Sequence, residues 1–191
     1  MEIERSDEEL VIRERLRDLA LVGVLFGSAA RRGEIAGMRF GDLRVDNPRE
    51  RHILVTGKGN KRGRAPLPST PWQLLERWLL HIQESRLTDG LPAPSAEDPV
   101  FPKLTRGKRI LYSEPMSVNA VYERAKYLLD AYLGKKGSPH AFRRGKLTST
   151  IDQHGVEVAK AIARHADIST TLGYDMREID RMHKAVEESD L

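Results

Sequence analysis

The sequence contains no cysteine, so neither a disulfide framework nor a Cys-ligated zinc site is possible. The longest apolar run, Leu19 to Phe26, is far shorter than the roughly 20 residues that a membrane-spanning helix needs. The start of the chain, from Glu2 to Glu9, is acidic and resembles no signal peptide. These absences predict a soluble, cytoplasmic protein that does not contact a membrane.

Carboxylate clusters and the His spacings typical of metal sites are also missing from the sequence. This absence agrees with the expectation, given below, of chemistry that uses no metal and no other cofactor.

Positive charge is concentrated in a few places. The formal net charge is only +4, but both chain ends are acidic. The excess of Lys and Arg falls in Lys58–Arg64, Lys103–Arg109 and Lys135–Lys146. If folding brings these segments to one face, they form a surface that binds phosphates. The alternative is an ordinary solvated mixture of charges, because 31% of all residues are charged.

A length of 191 residues suits a single globular domain with a real core, and we expect one domain over 1–191. Ser6 and Glu9 form a capping box that predicts a helix start, and apolar residues then recur on one helical face as far as Phe26. A short helix is predicted over 32–39. The β-prone runs 43–45 and 53–55, the Gly-rich turn 56–63 and the segment 64–68 predict a small antiparallel sheet with a basic hairpin tip.

Further helices are predicted along the rest of the chain. One begins with Thr70 as N-cap and Pro71 at its first position, and another begins at Ser117. A long surface loop is predicted over 88–100 between them. The remaining predicted helices begin at Ser138-Pro139 or span 156–163, 169–174 and 177–188. The fold class is therefore mainly α with a small antiparallel β-sheet.

The candidate chemistry lies in the last third of the chain. His140 and Arg143 are three residues apart, on one face of the predicted helix, and Tyr174 follows His165 by nine residues. Forming a phenolate at pH 7 costs about 4 kcal/mol, since the pKa of tyrosine is about 10. A base and nearby guanidinium groups can offset this cost, so the pattern indicates a tyrosine nucleophile acting on a phosphodiester. The other four tyrosines precede His140 and are interpreted as packing residues.

Five sequence boxes occur in an order that resembles the tyrosine recombinases of the phage integrase family. They are Ala30-Arg31-Arg32-Gly33-Glu34-Ile35 with Gly41-Asp42-Leu43, Thr56-Gly57-Lys58-Gly59-Asn60-Lys61 with Ala65-Pro66-Leu67, His140-Ala141-Phe142-Arg143, Arg164-His165, and Ile168-Ser169-Thr170-Thr171 to Tyr174. The resemblance runs from about residue 8 to residue 176. Each box is weak alone, but five in order are specific.

The resemblance implies a site-specific recombinase that cuts and rejoins double-stranded DNA through a 3′-phosphotyrosyl intermediate, without metal or ATP. Arg31 and Arg143 clamp the phosphate, although Arg32 is an alternative to Arg31. Lys58 protonates the leaving oxygen and His165 donates to the phosphate. His140 is either the base or a further phosphate donor. Glu34 is expected to orient one of the histidines.

Other expectations concern the surroundings of this site. Contacts with DNA are expected from Arg32, Lys61, Arg62, Arg64, Arg144, Lys146 and Arg164. Arg144 and Arg164 depart from the family pattern, which often has histidine and glycine at these positions. The N-terminal DNA-clamping domain of the family is expected to be absent, so that the chain is either an excised catalytic domain or a minimal relative. Self-association on DNA is expected, up to a synaptic tetramer. The protein is expected to associate with the nucleoid when it is bound to DNA. The C-terminal helix is expected to dock either on its own protomer or on a neighbouring one.

Two alternative functions fit the same residues. A type IB topoisomerase shares the chemistry but relaxes supercoils without exchanging strands between partners. A DNA-binding module that has lost catalysis would keep only the basic surface.

Overall fold

The computed structural model describes residues 6–47, 50–57, 62–134, 136–165 and 167–175. The chain divides into two compact units, Met1–Arg143 and Arg144–Leu191. The boundary falls inside one helix, α5 (Pro139–His154). No helix among the described residues has the length and apolar character needed to cross a membrane.

The first unit is built around helix α1 (Asp7–Ser28), which begins at the predicted capping box. The Ser6 hydroxyl accepts the Glu9 N–H at 3.2 Å, and the Glu9 carboxylate accepts the Ser6 N–H at 3.0 Å. Leu21, Val24 and Leu25 are fully buried. The helix ends at Ala29, whose φ of 51° lies in the left-handed region and turns the chain sharply.

Helix α3 (Ser69–Thr88) packs along α1. A Cβ atom added at Gly27 would lie 2.8 Å from the ring of Pro71, so only glycine allows this close approach. Trp78 is fully buried and its indole N–H donates to the Val100 carbonyl at 2.8 Å. The predicted start was slightly wrong, because Pro68 is the N-cap and Thr70 lies inside the helix.

A three-stranded antiparallel sheet follows the order β1 (Leu43–Asn47), β2 (Glu50–Thr56) and β3 (Arg62–Pro66). Before it come α2 (Arg32–Ala36) and a 3-10 turn (Phe40–Asp42). Ile53 and Val55 on β2 and Ala65 on β3 are buried and face the core, as expected for strands with one face covered. The predicted fold class, mainly α with a small antiparallel sheet, is confirmed.

A second hairpin, β4 (Pro102–Leu104) with β5 (Ile110–Pro115), was not predicted. It follows the segment predicted as a loop. That segment is held against the turn after α2, since the Gly41 N–H donates to the Ala96 carbonyl at 2.8 Å and the Val100 N–H to the Met38 carbonyl at 3.0 Å.

Helix α4 (Val118–Leu133) is attached to α1 through a charge pair in which Asp18 is buried and Arg124 is half-buried. The Arg124 guanidinium binds the Asp18 carboxylate with two hydrogen bonds, one of them 2.9 Å long. Glu14 pairs with Lys108 of the second hairpin at 2.9 Å. Burial raises the pKa of Glu14, but the Lys108 hydrogen bond and the charges of Arg124, Lys108 and Arg17 outweigh it and lower that pKa.

The second unit contains the end of α5, α6 (Val156–Ala163) and α7 (Ser169–Leu172). Leu147, Ile151, Ala159 and Ala163 are buried. The predicted helix over 177–188 lies outside the described residues.

Candidate active site

Arg31 stands at the N-cap of α2, directly after the turn that ends α1. Glu34 is only 7% exposed, and its carboxylate accepts both the Arg31 backbone N–H, at 2.8 Å, and the guanidinium Nη1, at 3.0 Å. The Arg31 side chain is nevertheless 43% exposed, so its guanidinium reaches the surface of the unit. A rigid, surface-reaching guanidinium is the group needed to clamp a phosphate.

Glu34 therefore has a partner that the sequence did not suggest. We expected it to orient a histidine, and the structure shows it orienting Arg31. Its contact with a histidine stays a prediction. The spacing of three residues from N-cap to Glu34 is the signal that could have revealed the contact, because it is the spacing of a capping box.

Arg143 is 2% exposed and donates through Nη1 to the carbonyl of Ala29. Ala29 is the C-cap of α1, the end of a helix that carries partial negative charge. Arg143 thus supplies a cation to a helix end whose last turn contains no basic residue. Ala29 lies two residues before Arg31 in the sequence, so the contact joins Arg143 to the segment that leads into Arg31.

His140 and Arg32 lie near these arginines in the sequence and are both exposed. His140 is in the first turn of α5, three residues before Arg143. Arg32 lies over the ring of Tyr122 on α4, with its guanidinium carbon 5.3 Å from the ring centre. This cation–π contact attaches the start of α2 to α4.

In the second unit the structure brings His165 and Tyr174 together. Their rings stack with centroids 5.9 Å apart and planes inclined by 28°. Nδ1 of His165 lies 3.0 Å from the Thr171 hydroxyl oxygen. Tyr174 lies past the end of α7, where its N–H donates to the Thr171 carbonyl at 2.9 Å and its own carbonyl accepts the Thr148 hydroxyl at 3.0 Å.

Arg164 precedes His165 in a left-handed conformation, with φ of 55° at the C-cap of α6. Its side chain turns back, and Nη1 donates to the Ile162 carbonyl at 3.1 Å. Between His165 and α7, the Asp167 carboxylate accepts the Ser169 N–H at 2.9 Å. That backbone bond, followed by one from the Ser169 side chain, lowers the pKa of Asp167.

The remaining predicted DNA contacts are more scattered. Arg62 and Arg64 are exposed on the same face of β3, and Arg144 is exposed on α5. Lys146 is half-buried. Lys58 and Lys61 lie outside the described residues. In the second hairpin, Lys103 and Lys108 are paired with Glu114 and Glu14, which weakens the expectation that this segment binds phosphates.

Thr171, Thr148 and Tyr122 were missed as residues that position the site. Thr171 belongs to a recognised box, but only folding shows that its hydroxyl meets His165. Thr148 and Tyr122 gave no sequence signal. Within the described ranges, no three His, Asp or Glu residues lie in a group that could hold a metal ion, and the expectation of metal-free chemistry stays a prediction.

Comparison with known proteins identifies the family. A sequence profile of the phage integrase family matches residues 7–178. The chain belongs to the phage integrase family. The resemblance to tyrosine recombinases is therefore confirmed.

Individual relatives agree with this assignment. A tyrosine recombinase of Synechocystis sp. is 30% identical over 163 residues, covering 83% of this chain and 47% of the relative. The chain thus spans about half the length of that curated relative.

Two solved structures share the fold. The crystal structure of XerA recombinase has a TM-score of 0.66 at 18% identity, covering 99% of this chain and 66% of XerA. XerH recombinase, in a post-cleavage complex with a palindromic difH substrate, also has a TM-score of 0.66, at 17% identity, covering 99% of this chain and 49% of XerH.

Proposed function

We propose that this member of the phage integrase family is the catalytic part of a site-specific DNA recombinase that acts on a phosphodiester. The observation that carries the proposal is the pairing of Tyr174 with His165 in a chain of this family. Tyr174 has its peptide N–H and carbonyl both hydrogen-bonded, so the nucleophile is held at a defined place in its unit. A fixed nucleophile is what lowers the entropic cost of attack.

In the proposed reaction the phenol oxygen of Tyr174 attacks the phosphorus and forms a 3′-phosphotyrosine. The bond from phosphorus to the 5′ oxygen breaks. His140 receives the phenol proton, and Lys58 gives a proton to the departing oxygen. A free 5′ hydroxyl then attacks the phosphotyrosine and restores the phenol. The bond energy is kept throughout, so rejoining requires no ATP. No metal is required in the proposed reaction, because cationic side chains of the protein stabilise the charge on the phosphate.

The arginines and His165 act on the two non-bridging oxygens, where charge builds up in the transition state. Arg31 is already oriented by Glu34 and reaches the surface of its unit. We assign it as the principal clamp in preference to Arg32, whose guanidinium lies over Tyr122. Arg143 is assigned as the second clamp, and its bond to Ala29 places it beside the Arg31 turn.

Double-stranded DNA is the proposed partner. XerH, which has the same fold, was solved with a difH substrate after cleavage, and this supports a DNA substrate for the present chain. Exposed Arg62, Arg64 and Arg144 are proposed to bind the DNA backbone. Recombination requires several protomers, so we propose self-association on DNA, in the cytoplasm and at the nucleoid.

The test uses a pool of nicked DNA duplexes of random sequence, because the DNA site is not known. The protein is incubated with the pool and denatured in SDS, and DNA attached to protein is recovered and sequenced. We expect a small set of related sequences from the wild type and none from Tyr174→Phe. Tyr132→Phe is the matched control, since Tyr132 is 71% exposed on α4.

Three outcomes count against parts of the proposal. An unchanged yield with Tyr174→Phe would reject the nucleophile. DNA binding without attached DNA would favour the inert binding module. Relaxation of supercoils without strand exchange between two duplexes of the recovered sequence would favour the topoisomerase.

A further inference from the structure

We propose that Thr171 is the positioning residue for His165, and that through its backbone it sets the nucleophile at the same time. This inference rests on the proposed function, because it assigns a role within that reaction. Thr171 does not touch the phosphate. It acts through the two residues that do.

In the contact between Thr171 and His165, the threonine side chain is held in one place. Thr171 is fully buried, and its hydroxyl oxygen lies 3.0 Å from Nδ1 of the His165 ring. Its backbone N–H donates to the Ile168 carbonyl at 2.8 Å, in the first turn of α7. A buried, β-branched side chain on a bonded backbone has little rotational freedom. The hydroxyl is therefore a fixed point for the imidazole ring.

Fixing Nδ1 decides which nitrogen faces the reaction. The two nitrogens lie on different sides of the ring, so an Nδ1 bond to Thr171 turns Nε2 away from the threonine. A hydroxyl can donate to a neutral Nδ1 and can also accept from a protonated one. The same contact thus holds the ring in either protonation state while Nε2 donates to a phosphate oxygen.

Thr171 also connects His165 to the nucleophile. Its carbonyl accepts the Tyr174 N–H at 2.9 Å, while Thr148 donates to the Tyr174 carbonyl at 3.0 Å. One residue therefore sets the ring of His165 with its side chain and the peptide of Tyr174 with its backbone. Replacing the side chain alone separates these two roles.

The variant pair is Thr171→Val, which keeps the branched shape but removes the hydroxyl, and Thr171→Ser, which keeps the hydroxyl. Thr170→Val is the matched control, because Thr170 is exposed next to it. The first readout is the ring ¹⁵N NMR shifts of His165 in the protein without DNA, assigned with His165→Ala. We expect Thr171→Val to move them, and Thr171→Ser and Thr170→Val to leave them near wild type. Unchanged shifts in Thr171→Val would overturn the proposal.

The second readout is the rate constant for covalent attachment to the duplex recovered from the random pool. We expect Thr171→Val to lower this rate about 10- to 100-fold with unchanged DNA affinity, and Thr171→Ser to restore most of it. In a protein that already carries His165→Ala, adding Thr171→Val should not lower the rate of covalent attachment any further. The same loss with and without His165 would show a merely structural role.

Failure of the proposed function can be distinguished from failure of the role proposed for Thr171. If the wild type attaches to no DNA, the recombinase assignment is rejected, while the nitrogen shifts still decide whether Thr171 holds His165.

Discussion

Glu34 binds Arg31 twice, through the backbone N–H at 2.8 Å and the guanidinium Nη1 at 3.0 Å. The carboxylate is buried and the arginine reaches the surface, so the fixed end of the pair lies inside the protein. The pair converts a flexible side chain into an oriented one. Because the Glu34 carboxylate is buried and charged, removing either Glu34 or the Arg31 side chain is expected to lower the stability of the fold.

Glu34→Ala is expected to lower the free energy of unfolding by about 1–3 kcal/mol, because two donors lose a charged, buried acceptor. Glu34→Gln keeps an acceptor oxygen for the Arg31 N–H and should cost less. Urea denaturation measures both. Equal stability of wild type and Glu34→Ala would show that the pair contributes nothing to the fold.

Substitutions at Arg164 measure how much free energy a non-glycine residue loses in the left-handed backbone conformation. Arg164→Ala and Arg164→Gly both remove the bond to the Ile162 carbonyl, but only glycine adopts a φ of 55° without strain. The glycine variant should therefore be more stable than the alanine variant, by about 1 kcal/mol. Thermal unfolding of the two variants side by side measures the difference. A more stable alanine variant would contradict the left-handed conformation.

The lowered pKa of Glu14 should make the stability of the fold depend on pH. Its pKa is lowered in the folded protein, so its ion pairs stabilise the fold above the unfolded pKa and are lost as pH falls through the folded pKa. Glu14→Gln should be less stable than wild type at about pH 6, and the difference should shrink toward about pH 3. Melting temperatures over this range measure it. A constant difference would mean that the charge of Glu14 is not involved.

Lys58 is expected to act only on the leaving oxygen. A duplex in which that oxygen is replaced by sulfur has a leaving group that departs without a proton. Lys58→Ala should therefore be slow on the normal duplex and recover on the sulfur duplex, whereas Arg31→Ala should stay slow on both. Rates of covalent attachment measure this. If Lys58→Ala lowers the rate of covalent attachment equally on both duplexes, Lys58 is not the general acid.

Local features of the fold could be predicted from the sequence. The capping box at Ser6 and the β-prone runs beside the Gly-rich turn depend on neighbouring residues only, and both were correct. The hairpin formed by β4 and β5 was missed, because its first strand has three residues and its pairing shifts register after Pro102. A strand that short carries too little alternation to be recognised.

The site could be predicted less completely than the fold. Residue types and order predicted Arg31, Arg143, His165 and Tyr174 as site residues, and their roles stay predictions. The structure shows which groups hold each of them. The partners of these residues depend on tertiary contacts. The bond from Arg143 to Ala29 joins residues 114 positions apart, and the bond from Thr148 to Tyr174 joins residues 26 positions apart. No local pattern encodes such contacts.

The identity of the covalently modified residue tests the central claim most directly. After trapping on the recovered duplex, the DNA is trimmed with nuclease and the protein is cut with trypsin, which releases the peptide from His165 to Arg177. Tandem mass spectrometry should find a nucleotide attached through its 3′ phosphate to Tyr174, and no such adduct in Tyr174→Phe. An adduct on His165 or on any other residue would contradict the account.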